Sequence, residues 1–199
     1  VQSICGIGDS SAISMAYANI FTDCPVIKGY PAPYYTDYDN NTATGSGKKP
    51  DCWDGVQLTY DTVGTTQSYP YVYTTASYAV EKNSMYMYSY FSSTSNTKTY
   101  AVAPKMAGNL NDYMISFYAR NGGTSTSYGH ILRVGYVTDA TQKGIDSTFV
   151  KIADVYVEGA TQKQYQVLIS DSIKEQIPAG ARIALKADHS IQGLTGTSG

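Results

Sequence analysis

Asp37, Asp39 and Asn41 alternate along YYTDYDNN, so an extended backbone brings their three side-chain oxygens to one side. Hard cations such as calcium select clustered oxygen ligands of this kind. The triplet is therefore the candidate metal site, with Asp188 the nearest late-chain residue to complete it. The competing reading is three solvated residues ahead of a Gly/Ser loop. Tyr69, Tyr71 and Tyr73 in QSYPYVY offer a different chemistry. A sugar stacks its apolar C–H face on an aromatic ring while fixed polar groups take its hydroxyls, and Pro70 restricts the loop and lowers the ordering cost of binding. Against this stands the simpler account that tyrosines at this density are partly exposed in any case. Trp53, just upstream, suits a core better than a ligand face.

Catalytic signals are weak. His130 follows Gly129 at the start of a strand-like run and His189 adjoins Asp188. Neither lies in a G-x-S-x-G or H-E-x-x-H context, and no P-loop is present. Serines are so numerous that a Ser/His/Asp triad assembled by folding carries no information, and no pair of carboxylates stands out. The expectation is a protein that is not an enzyme. Cys5, Cys24 and Cys52 cannot all pair within one chain, and their spacing fits no zinc pattern. Two arrangements remain open. Cys5 pairs with Cys24 and staples the N-terminal segment, leaving Cys52 as a small hydrophobe beside Trp53, or all three are buried free thiols.

The elements that position these groups are strands. In DYMISFYARNGG, GHILRVGYVTDA and STFVKIADV, apolar residues recur with period two between Gly, Asn and Ser punctuation. Tyr113, Ile115, Phe117 and Ala119 fall on one face, with Asp112, Met114, Ser116 and Tyr118 on the other; Leu132, Val134 and Tyr136 oppose Arg133, Gly135 and Val137. Strands are predicted over 56–60, 71–73, 84–91, 99–103, 112–120, 131–138, 149–157, 164–169 and 182–186. Short helical turns are expected only after Asp139 and around 171–176. The run SMYMYSYF places Met85 and Met87 on one face and Tyr86, Tyr88 and Tyr90 on the other, which suits a central strand or one covered by a loop. Such density of antiparallel strands predicts two packed sheets, an all-β jelly-roll sandwich. Residues 1–33, poorly alternating and rich in Gly and Pro, read as an irregular arm or the end of a preceding module, with residues 34–199 forming the sandwich.

The order ISFYARNGG, ILRVGYVTDA, TFVKIADVYV and QKQYQVLIS resembles the central strands of MAM-like jelly-roll modules in surface proteins of Bacteroidetes-type bacteria, the choice-of-anchor J or cleaved-adhesin domains. The segment YYTDYDNNTATGSGKKPDCW is similar to the opening of those modules, and the likeness runs from Tyr34 to Leu185. It implies a secreted or cell-surface, adhesin-like bacterial module, often holding structural calcium near the opening strand. Residues 1–33 have no counterpart, and the family's last strand with its paired acids is not visible before Gly199.

Charged residues make up only 15% of the 199 and the net charge is -2, so neither a nucleic acid nor an anionic membrane is an expected partner. No apolar run approaches the roughly 20 residues of a membrane helix, and Val1 at the start reads as a processed chain or a fragment. Twenty Tyr against four Phe and one Trp is a bias common in extracellular β proteins. The functional expectation is a non-catalytic extracellular module that binds glycan or a surface protein. The alternative is a structural domain of a larger appendage or particle, assembling by strand donation at an open sheet edge.

Overall fold

The computed structural model describes residues 4–6, 9–10, 24, 26–27, 36, 38, 44–59, 62–63, 68–80, 82–91, 97–122, 130–169, 177–188 and 196–198. Their strands are β1 (Ile4–Gly6), β2 (Asp9–Ser10), β3 (Asp54–Thr59), β4 (Thr62–Val63), β5 (Tyr71–Tyr73), β6 (Ser84–Tyr86), β7 (Ser89–Phe91), β8 (Thr97–Val102), β9 (Met114–Ala119), β10 (His130–Val137), β11 (Val150–Val157), β12 (Lys163–Leu168), β13 (Arg182–Asp188) and β14 (Gly196–Ser198). Helical structure among the described residues is limited to 3-10 turns at Ala76–Tyr78 and Leu110–Asp112, to α1 (Ile145–Thr148) and to Ile169, directly after β12. The protein is all-β and sandwich-like, built from antiparallel sheets, as its alternation predicts.

One layer is a six-stranded sheet in the order β11-β10-β13-β8-β3-β4. Packed against it are the pairs β9–β12 and β5–β6, and a further pair, β7–β14, has its β7 strand close to β8 and β13. Both faces of β8 are buried from Thr99 to Val102, in keeping with its place between β13 and β3. Ala101 and Ala103 join Val134, Leu185, Val155, Val167 and Ile169 in the core between the layers, against which Ile115, Phe117, Met85 and Met87 pack. Tyr100 and Val102 join Val56, Leu58, Val137 and Ala184 on the sheet's other face, where Ile145, Ala140 and Phe149 from the β10–β11 connection cover them. Each such Val or Leu contributes on the order of 1.5–3 kcal/mol relative to an exposed side chain. The opposite alternates go outward: in β9, Met114 and Tyr118 are each 55% exposed while Phe117 stacks on Tyr165 at 5.9 Å.

Three details depart from the sequence reading. Residues 84–91, expected as one strand, form two, because β6 pairs with β5 whereas β7 pairs with β14. At the break between them the Tyr88 carbonyl accepts from the Thr99 hydroxyl of β8. The disulfide joins Cys24 to Cys52, Cα atoms 5.3 Å apart, which excludes both the Cys5–Cys24 pairing and three free thiols. Cys52 reaches Cys24 from a tight turn in which the Trp53 N–H donates to the Pro50 carbonyl at 3.0 Å and Cys52 itself takes a left-handed φ of 66°. The arm is thus fastened to the sandwich, and Ile27 extends the attachment through a parallel bridge to Met106. Its N–H donates to the Lys105 carbonyl at 2.8 Å and its carbonyl accepts from Ala107 at 2.6 Å. The arm also contains the small β1–β2 ladder. The expected turn at 171–176 lies outside the described residues, whereas the one after Asp139 is present as α1.

Candidate functional site

The β5–β6 ladder sets Tyr71 opposite Tyr86 and Val72 opposite Met85. Directly opposed residues share a face. Val72 is fully buried and Met85 packs on the core, so Tyr71, Tyr73 and Tyr86 rise from the outer face of the hairpin. Two sequence runs with the same alternation, YVY and MYMY, are thereby laid side by side. The Tyr69 ring, at the entrance to β5, lies 5.2 Å from Tyr88, 5.3 Å from Tyr71 and 5.4 Å from Tyr86. Tyr86 is also 5.5 Å from Tyr71 and 5.6 Å from Tyr73, and Tyr73 is 5.6 Å from Tyr78. Six half-buried tyrosines therefore form one continuous aromatic surface, with tilted and edge-to-face contacts in the range that aromatic quadrupoles favour.

Several devices hold this surface in place. Residues 45–48, in the Gly/Ser loop that follows the Asp37, Asp39 and Asn41 triplet, cover the edge of β5. Val72 N–H donates to the Lys48 carbonyl at 2.9 Å, and the Val72 carbonyl accepts from Gly45 at 2.8 Å. That path requires Gly45 and Gly47 at φ of 91° and 76°, values disfavoured for residues with a Cβ. Behind Tyr69, Pro70 is buried against Gly55 of β3. At the far end, Arg120, just beyond β9, places its guanidinium carbon 4.4 Å over the Tyr78 ring. Its Nη1 donates to the Ser77 carbonyl at 2.8 Å and its Nε to the Asn121 carbonyl at 3.1 Å. Gln162 adds a second tie from the β12 side, donating from Nε2 to the Ala79 carbonyl at 2.5 Å.

Crowding sets the electrostatics of the rings. Burial, followed by repulsion from the neighbouring phenols Tyr69, Tyr71, Tyr88 and Tyr73, pushes Tyr86 up to about 12. Burial, then Tyr69 and Tyr73, raises Tyr71 as well. Both therefore remain neutral O–H groups through the physiological range, able to donate and accept toward hydroxyls of a ligand.

A second polar cluster lies on the other face of the six-stranded sheet. Asp146 of α1 meets Lys98 Nζ at 2.9 Å, Lys186 Nζ at 3.2 Å and the Tyr100 hydroxyl. Burial pushes its carboxyl upward, but hydrogen bonds from Tyr100 and Lys98 and the charge and hydrogen bond of Lys186 outweigh that and hold it at about 2. Ionised at neutral pH and flanked by two ammonium groups, it pins α1 to the sheet and is ill suited to proton transfer near neutral pH.

Of the residues singled out in the sequence, Tyr69, Tyr71 and Tyr73 are brought together. Asp37, Asp39, Asn41 and His189 lie outside the described residues, whereas the backbones of His130 and Asp188 begin β10 and end β13. Among the described residues no three His, Cys, Asp or Glu side chains group closely enough to hold a metal ion. Trp53 packs on the inter-layer core, with Tyr38 edge-on at 6.1 Å. Sequence reasoning did not place Tyr78, Tyr86, Tyr88 or Arg120 at this site. The Met/Tyr alternation of residues 85–88 was a usable signal for two of them; Arg120 had none, because tertiary packing brings it from β9. No family model, curated protein or solved structure matches this chain.

Proposed function

We propose that the chain is a non-catalytic extracellular recognition module that binds glycan on the tyrosine surface of the β5–β6 hairpin. The observation that carries this reading is the continuous set of six rings on the face turned away from the core, braced from both ends and rich in neutral hydroxyls. A surface held in place before binding loses little entropy to the ligand, and aromatic faces interleaved with phenols suit the mixed apolar and polar face of a sugar. The Cys24–Cys52 disulfide supports an oxidising compartment, in line with secretion or surface display, and the resemblance to MAM-like adhesin modules points the same way. The test is a glycan array with titration of soluble polysaccharides, using the native chain, Tyr71→Ala and Tyr86→Ala. Binding to at least one glycan, weakened by about tenfold in each variant, supports the reading; silence across both formats overturns it.

A second reading has its own observation. β11, eight residues long, terminates the six-stranded sheet and carries exposed Val150 and Tyr156 (44% and 54%). A strand so placed offers its backbone to another chain, as a structural domain of an assembly would require. Sedimentation at several concentrations decides this, since a strictly monomeric species removes it.

A further inference from the structure

Arg120 does more for the tyrosine surface than brace it. From the position of its guanidinium, and resting on the glycan reading above, we propose that the ligand is an acidic polysaccharide and that Arg120 receives the carboxylate of a uronic acid residue at the Tyr78 end of the surface. A guanidinium has five N–H donors. Two bonds, from Nη1 to Ser77 and from Nε to Asn121, orient its plane, and among the described residues Nη2 donates to nothing. No carboxylate among the described residues pairs with it; its charge is balanced only by the Tyr78 ring and backbone carbonyls. The carbonyl that holds Nε is itself fixed, because Asn121 is 3% exposed and its N–H donates to Gly159 at 2.9 Å. A guanidinium pre-oriented over an aromatic face, with an unused edge, is the arrangement that accepts a carboxylate through paired, charge-assisted hydrogen bonds. The Lys98 and Lys186 ammoniums, by contrast, already share Asp146.

The surface favours a sugar chain over an acidic peptide as the bearer of that carboxylate. Peptides bind sheets chiefly by adding a strand to an edge or by filling apolar pockets. The outer edge of β5 is taken by the loop around Gly45 and Lys48, and the rings that meet among the described residues of this surface are tyrosines, each with a hydroxyl.

The experiment titrates the native chain with oligosaccharides of galacturonate, of alginate and of hyaluronan, with the methyl ester of each, and with polyglutamate. The expected result is binding of at least one uronate about tenfold tighter than its ester, a preference that falls to within about twofold in Arg120→Gln and weakens as salt is raised. Arg120→Lys, which keeps the charge but not the fork, is expected to retain part of the preference, and thermal unfolding of both variants separates lost recognition from lost folding. Equal binding of acid and ester, a preference that survives in a folded Arg120→Gln, or tighter binding of polyglutamate overturns the proposal. Neutral esters that still bind in a Tyr71-dependent way leave the glycan reading standing, whereas no binding of any saccharide ends both.

Discussion

Tyr86 and Asp146 show how one side chain reports its surroundings through pH. The folded-state value of Tyr86 is raised above that of a free phenol, so the stability it contributes is complete below pH 10 and is lost as pH climbs toward about 12. Tyr86→Phe keeps the ring and removes the titrating group. Denaturant midpoints measured from pH 9 to 12 should therefore fall less steeply in the variant than in the native chain, and equal slopes would show that Tyr86 ionises as a free phenol. Asp146 behaves in the opposite sense. Its carboxyl is depressed from 3.8 to about 2, so its contribution is complete above pH 4 and disappears as pH falls through that interval. Asp146→Asn strips two poorly exposed lysines of their shared partner and should cost about 1–2 kcal/mol at neutral pH, after allowance for solvent screening. The penalty should shrink toward pH 2; a penalty independent of pH would count against the ion cluster as its cause.

At the scale of elements, the contact that matters most for the site is that between β3 and the turn leading into β5. A Cβ on Gly55 would lie 2.5 Å from Pro70 Cδ and 2.6 Å from Cγ. Both atoms belong to a rigid ring, so the 68–70 turn has to move. Gly55→Ala is expected to lower stability by about 1–3 kcal/mol in urea titration. It should also disturb the contacts of Tyr69 with Tyr71, Tyr86 and Tyr88, seen as a change in the near-ultraviolet circular dichroism of the tyrosines. A native-like stability and spectrum would mean that the turn yields more easily than its packing indicates.

For the molecule as a whole, the decisive covalent tie is Cys24–Cys52, which closes a loop across a sequence separation of 28. Constraint of the unfolded chain by a loop of that size is worth about 3–4 kcal/mol. Reduction, or the Cys24→Ser/Cys52→Ser double variant, should lower the thermal midpoint accordingly in calorimetry. The bridge between Ile27 and Met106 loses its covalent anchor at the same time, so its amides, Ile27 and Ala107, should exchange hydrogen faster than those of β8 and β13. Uniform loss of protection across all three regions would show instead that the arm and the sandwich unfold as one unit.

What the amino-acid order decided by itself was which residues alternate, and hence where the strands run and which of their faces are apolar. Tyr71–Tyr73 matches its predicted span, and the inward set Leu132, Val134 and Tyr136 lies in the core as its period of two requires. The all-β class and Trp53 as a core residue were legible for the same local reason. Pairing was not: whether YVY lies against MYMY, whether residues 84–91 form one strand or two, and which cysteine reaches Cys52 depend on contacts between segments far apart in the chain. Only the tertiary structure decided that Tyr78, Tyr86 and Tyr88 join Tyr69, Tyr71 and Tyr73, and that Arg120, just past the end of β9, arrives over Tyr78 although Ser77 is 43 positions away in the chain. Side-chain alternation is a property of neighbouring residues, whereas register and partner choice follow from how whole layers exclude water together.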